Sequence, residues 1–136
     1  MIELEQEERP NLMIRVSGEK IKVLLDTWAN VNCVSLSLAE KLNLKFHKTA
    51  EFLRQAGSEL RTAGCATIKI EEQTGETETT QEFYVIENLN QAMILGINAL
   101  AELRIKMDLE HGTLIHNNGK TSYYKKNFIV EEISSG

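Results

Sequence analysis

Val23-Leu24-Leu25-Asp26-Thr27-Trp28-Ala29-Asn30 is the stretch of sequence on which the fold of this chain depends. The apolar run from Ile21 to Leu25 predicts a buried strand, which ends at an acidic residue. A carboxylate at the end of a buried strand is costly unless it is hydrogen-bonded, paired or used chemically. Of the twenty acidic residues, only Asp26 and Asp108 are aspartates. Asp26 is therefore either a turn acid or a functional carboxylate.

Working outward, alternating apolar residues predict a mainly β chain. A strand over 12–16 turns at Ser17-Gly18 and returns over 20–25. Two short helices are predicted, one over 37–44 with a Ser37/Glu40 capping box and one over 99–103 capped by Asn98. The other predicted strands cover residues 31–34, 65–71, 77–87, 93–95, 105–109, 113–116 and 122–130. The expected fold class is all-β with one or two short helices.

A polar segment over 51–62 predicts a hairpin whose tip is Gln55-Ala56-Gly57-Ser58. Gly64, just after it, is expected to let the chain bend. The hairpin is either a cover over a binding groove or an ordinary surface loop.

Two motifs together resemble the retropepsins, the aspartic proteases of retroviruses and retrotransposons. Leu24-Leu25-Asp26-Thr27-x-Ala29 is similar to their catalytic Asp-Thr-Gly-Ala loop, and Ile94-Leu95-Gly96-Ile97-Asn98 is similar to their Ile-(Ile/Leu)-Gly-x-(Asn/Asp) segment. The resemblance covers roughly residues 9–110 and implies a closed β-barrel of the acid-protease fold. The chain carries one Asp-Thr motif and no internal repeat, so it would supply one half-site.

The resemblance implies a homodimeric endopeptidase that cleaves peptide or protein substrates. Paired Asp26 carboxylates would be catalytic, and Thr27 would hydrogen-bond across the two-fold axis. The groove would be lined by Trp28, Ala29 and Asn30, and by Ala56, Gly57 and Ser58 of the hairpin, which corresponds to the flap. A further alternative is a small all-β binding domain in which the motif matches arose by chance.

Trp28 stands where the family has glycine. A Trp side chain that buries up to ~250 Å² must fill the cleft, pack at the dimer axis or point back into the core. The first two placements would weaken or abolish catalysis. The alternative function is therefore a catalytically inactive module, a pseudoprotease, used for dimerisation or peptide binding.

Composition excludes several other classes. A net charge of −5 without a basic cluster argues against nucleic acid or an anionic membrane surface as partner. No apolar run approaches the ~20 residues of a membrane span, and no signal peptide opens the sequence. Cys33 and Cys65 read as two buried thiols, which indicates an intracellular, cytoplasmic protein. Neither a cofactor motif nor metal-ligand spacing is found.

Three segments are expected. Residues 1–10 form an N-terminal arm, either frayed or interfacial. Residues 11–110 form the retropepsin-like domain, and residues 111–136 form a C-terminal β-hairpin extension and tail. Asp108 has neither Thr nor Gly after it and is expected to be a structural turn acid.

Overall fold

The computed structural model describes residues 11–26, 31–49, 52–55, 58–73, 75–108, 110–111, 113–117, 119 and 121–123. The N-terminal arm and the residues after Tyr123 lie outside these ranges. The elements are, in chain order, β1 (Asn11–Val16), β2 (Glu19–Leu25), β3 (Asn32–Ser35), α1 (Leu36–Lys41), β4 (Phe52–Gln55), β5 (Ser58–Glu72), β6 (Glu78–Ile86), β7 (Met93–Leu95), α2 (Ile97–Glu102), β8 (Lys106–Asp108), β9 (Thr113–Ile115) and β10 (Thr121–Tyr123).

Six of these strands close into a barrel. They are hydrogen-bonded in the order β1-β2-β7-β3-β6-β5, and β5 pairs back with β1 through Ile14↔Glu72 and Arg15↔Glu71. Within the described ranges β4 pairs only with the first part of β5, so this hairpin projects from the ring. The predicted all-β class with two short helices and a closed barrel is confirmed.

The β1–β2 hairpin shows how alternation builds the ring. Leu12, Ile14 and Val16 are buried, whereas Arg15 between them is exposed. The predicted turn at Ser17-Gly18 is confirmed, with φ of 52° and 80°. A residue with positive φ reverses the chain tightly, which suits glycine at the second position.

Successive side chains of β2 point to opposite faces of the sheet and pack into two separate apolar clusters. Val23 and Leu25 belong to the large barrel core, in which Phe83, Val85 and Leu95 are fully buried. The intervening side chain enters a second, smaller cluster on the opposite face of the sheet, formed by Leu24, Cys33, Leu60, Ile86 and Ile94 with Val31, Tyr84 and Leu89 packed against it. Successive side chains of one strand thus stabilise two surfaces.

Both helices exist, but their predicted caps are wrong. α1 is capped by Ser35, whose Oγ accepts a hydrogen bond from the N–H of Leu38 at 3.1 Å. The last residue of β3 already has the extended backbone that an N-cap needs, so Ser37 falls inside the first turn. α2 begins directly after Gly96 and has no side-chain cap, which places Asn98 within the helix.

The predicted strand over 65–71 is the second half of a fifteen-residue strand, β5. Its register with β6 shifts between Thr62 and Gly64, where the bend was expected. Gly64 has no room for a side chain because an added Cβ would meet the carbonyl oxygen of His47 and, at 2.8 Å, Cδ2 of Phe46. The bulge and this close approach both lie where the projecting hairpin leaves the barrel.

A second sheet follows the barrel. β8, β9 and β10 pair in antiparallel order, with Lys106↔Ile115 and Thr121↔Ile115 among the partners. His116, next to β9, places its Nδ1 3.1 Å from Oε1 of Glu72 at the end of β5, where 10% and 4% of the two side chains are exposed. Leu114 of β9 belongs to the barrel core, so the small sheet packs against the barrel.

Both helices in the described part of the chain have six residues, too few and too polar to cross a lipid bilayer.

Candidate active site

Asp26 is fixed by its own backbone. It follows the last residue of β2, is half-buried, and donates its N–H to the carbonyl oxygen of Leu95 at 2.9 Å. The parallel pairing of β2 with β7 brings Leu24 beside Ile94 and Leu25 beside Leu95. The two sequence motifs, seventy residues apart in the chain, are therefore neighbours in space.

Asn32, which the sequence reasoning missed, lies across β7 from Asp26. Its side chain is buried at the start of β3. Oδ1 accepts the N–H of Gly96 at 2.9 Å, and Nδ2 donates to the carbonyl oxygen of Glu82 at 3.1 Å. The available signal was an amide in a short strand whose other residues are Cys33, Val34 and Ser35.

Cys33 reports on the electrostatics near Asp26. Burial, with a smaller contribution from the negative charge of Asp26, raises the pKa of the Cys33 thiol to about 11. The thiol therefore stays protonated at neutral pH and behaves as a small apolar side chain rather than a nucleophile. Both cysteines are buried, as expected.

The second apolar cluster joins the strand of Asp26 to the projecting hairpin. Leu24 enters it from β2 and Leu60 from β5, close to the base of that hairpin. Its other members come from β3, β6 and β7. Buried apolar contacts thus connect the residue before Leu25-Asp26 with the hairpin arm.

The two arms of the hairpin pair as predicted. β4 and β5 pair from Phe52↔Arg61 to Gln55↔Ser58, so a two-residue link joins them. The β6–β7 turn is hydrogen-bonded to the base of this hairpin. Asn88 accepts the N–H of Arg61 at 2.9 Å and donates to the carbonyl oxygen of Glu59 at 3.2 Å.

The remaining predicted site residues are placed only in part. Thr27, Trp28, Ala29, Asn30, Ala56 and Gly57 lie outside the described residues, and Ser58 is described only through its backbone pairing. Their roles stay predictions. Ile97, directly after Gly96, is the one large apolar side chain that the described residues expose, at 45%.

One acidic and histidine group occurs in the described part of the chain. Ligand atoms of Asp108, Glu110 and His111 lie within 4.8 Å of one another on the surface after β8. Asp108 accepts the His111 N–H at 3.2 Å and lies 2.7 Å from its Nδ1, which lowers the pKa of the Asp108 carboxyl. These bonds to His111 give Asp108 the structural role in the turn that was expected of it.

Comparison with known proteins places this geometry in a family. The family described as "gag-polyprotein putative aspartyl protease" matches residues 12–102. The retroviral protease-like domain of Ddi1 from Leishmania major is similar in structure, with a TM-score of 0.64 at 18% identity, covering 86% of this chain and 94% of that one. No curated protein sequence matches the chain.

A retroviral enzyme shows the same likeness. The EIAV protease in complex with the inhibitor HBY-793 has a TM-score of 0.61 at 19% identity, covering 79% of this chain and 99% of the protease. At such identities the structural likeness establishes the fold alone. The family match spans more than half of the chain and therefore establishes the family. The chain belongs to the gag-polyprotein aspartyl protease family and is a retropepsin-like domain.

Proposed function

We propose that the chain is one subunit of a homodimeric aspartic endopeptidase in which Asp26 of each subunit forms the catalytic pair. The observation that carries this is the clamped position of Asp26, whose N–H is bound by Leu95 beside Gly96 in a chain with one Asp-Thr motif. Aspartic proteolysis needs two carboxylates about 3 Å apart. A two-fold axis next to this residue supplies the second from an identical chain.

The proposed chemistry divides the work between two identical groups. Two carboxylates this close cannot both be ionised, so they share one proton. The ionised Asp26 takes a proton from water, whose oxygen attacks the peptide carbonyl carbon. The protonated Asp26 of the second subunit donates to the carbonyl oxygen, giving a tetrahedral diol. Proton transfer to the peptide nitrogen then breaks the C–N bond.

The proposed substrate is a peptide with apolar side chains near the cleaved bond. Val31 and Leu89, partly buried apolar side chains that pack against the second cluster, support this, as does Ile97, which is 45% exposed directly after Gly96. The β4–β5 hairpin would act as the flap, with Ala56, Gly57 and Ser58 contacting the peptide backbone. In the same proposal, Thr27 pairs across the axis and Ala29 and Asn30 line the groove.

We propose an intracellular location because the two cysteines are buried thiols.

Trp28 favours a second candidate, an inactive retropepsin-like module for dimerisation or peptide binding. An indole in place of the loop glycine removes the close backbone approach that a bound peptide needs. In this alternative the fold and the two-fold interface persist without hydrolysis.

The deciding experiment is cleavage of an unfolded protein mixture by purified protein between pH 4 and 7, the range of carboxylate titration. Proteolysis that Asp26→Asn abolishes, and that a hydroxyl-bearing transition-state mimic inhibits, supports the peptidase. Activity that appears only in Trp28→Gly supports the inactive module. Cleavage that is unchanged in Asp26→Asn refutes the assignment of Asp26.

A further inference from the structure

We infer that Asn32 is a positioning residue for Asp26, acting through the peptide unit that joins Leu95 to Gly96. The inference rests on the proposed function, since it assigns to Asn32 the alignment of the proposed catalytic carboxylate. Asn32 need not touch substrate to do this.

The geometry is a relay of three hydrogen bonds that ends at Asp26. The carbonyl oxygen of Glu82 accepts from Nδ2 of Asn32 at 3.1 Å, and Oδ1 of Asn32 accepts the Gly96 N–H at 2.9 Å. The carbonyl of Leu95, the other end of that same peptide, accepts the Asp26 N–H at 2.9 Å. In a trans peptide these two groups point in opposite directions, so the unit is clamped from both sides.

Burial makes the clamp specific to an amide side chain. Asn32 is 6% exposed and Gly96 is buried, so water does not replace a lost partner freely. Asparagine can accept from Gly96 and donate to Glu82 with one side chain, whereas leucine does neither and an ionised aspartate only accepts. Amide dipoles aligned in this way also strengthen one another.

Asp26 is coupled to this clamp through the end of the pairing between β2 and β7. β7 has three residues, and its pairing with β2 ends at Leu25↔Leu95. The Asp26 N–H makes the next bond beyond that pairing. A rotation of the Leu95–Gly96 peptide would therefore move Asp26, and a misplacement of about 1 Å can cost about a hundredfold in rate.

The test compares Asn32→Leu with the control Thr77→Val. The control removes another part-buried hydrogen bond, from Thr77 Oγ1 to the Leu103 carbonyl at 3.0 Å, on a different part of the barrel. For folded Asn32→Leu we expect kcat to fall about tenfold to a hundredfold with KM changed by about twofold or less. The control should keep the kcat of the unchanged chain.

Asn32→Asp gives the pH readout and covers the case in which Asn32→Leu fails to fold. Once protonated, an aspartic acid at this position can again both donate and accept. Its kcat, relative to that of the unchanged chain, should therefore recover as the pH falls. A constant ratio across the pH range would overturn the relay.

Amide hydrogen exchange tests the relay without any cleavage. In Asn32→Leu, or in Asn32→Ala where the leucine variant fails to fold, exchange at Gly96 and Asp26 should be at least about tenfold faster, and in Thr77→Val it should be unchanged. If the unchanged chain cleaves nothing, the proposed function fails while this measurement still decides the role of Asn32. Equal exchange in the Asn32 variant and the control would overturn the inference.

Discussion

Gly64→Ala is the substitution whose effect on the free energy of unfolding can be estimated most directly from the structure. The backbone there needs no positive φ, so alanine is not excluded by conformation. The obstacle is steric, because the new Cβ would overlap the carbonyl oxygen of His47 and lie 2.8 Å from Phe46 Cδ2. A backbone carbonyl cannot move aside as the tip of a flexible side chain can.

The loss of stability can be estimated from the groups that the new methyl group must displace. Overpacking of this kind costs about 1–3 kcal/mol. Separating the two segments also strains both bonds between His47 and Cys65, which have N···O distances of 3.0 and 2.9 Å and contribute about 1 kcal/mol each. We expect Gly64→Ala to lower the free energy of unfolding by about 3–5 kcal/mol, a large share of the ~5–15 kcal/mol of a typical domain.

Urea unfolding at fixed protein concentration measures this loss, with Gly18→Ala as the matched control. Gly18 has φ of 80° and nothing within 4 Å of an added Cβ, so alanine there meets backbone strain alone, about 1 kcal/mol. In thermal unfolding the two variants should differ in Tm by roughly 8–15 °C. The steric argument is refuted if Gly64→Ala is no less stable than Gly18→Ala.

Three other outcomes follow from single contacts. In a Cys65→Ala background, Cys33 should react with a thiol reagent at pH 8 at least about a hundredfold more slowly than in the unfolded chain, because burial raises its pKa from 9.0 to about 11; adding Asp26→Asn should lower that pKa, and no change would mean that the two groups are far apart. Glu72→Ala should cost about 1–3 kcal/mol in urea unfolding because it removes a polar contact between two largely buried side chains, Glu72 and His116, whereas Lys69→Ala, which removes an exposed ion pair to Glu78 at 2.8 Å, should change little; equal losses would contradict this. Asn88→Ala should speed proteolytic nicking of the β4–β5 hairpin, because it removes the two bonds from the Asn88 side chain to the backbone of Arg61 and Glu59, and Asn90→Ala, on the same connection, is the control.

The individual strands could be predicted because their signals are local, whereas the closed barrel was predicted only from the resemblance to the retropepsins. Period-two alternation marked β1 and β6, and an apolar run marked β2; Phe83 and Val85, on one face of β6, are indeed in the core. Asp26 stood out because a carboxylate at the end of a mostly apolar strand is costly unless it is hydrogen-bonded, paired or used chemically. The bend at Gly64 was also signalled by composition alone.

The caps and Asn32 could not be predicted for the opposite reason. Ser35 and Ser37 are both suitable N-caps, and only the point at which β3 ends selects the first. The partners of Asn32 lie 50 and 64 residues away, on strands whose neighbours the sequence does not state. A side chain that serves two distant backbone groups looks, in the sequence, like any polar residue in a strand.

Strand register is what ties the fold to the candidate site. A slip of one residue between β2 and β7 would exchange Leu24 and Leu25 between the second cluster and the core, and would take the Asp26 N–H away from Leu95. The apolar pair before Asp26 therefore stabilises the barrel and fixes the carboxylate with the same contacts. Stability and placement of Asp26 should consequently fall together in core variants of β2.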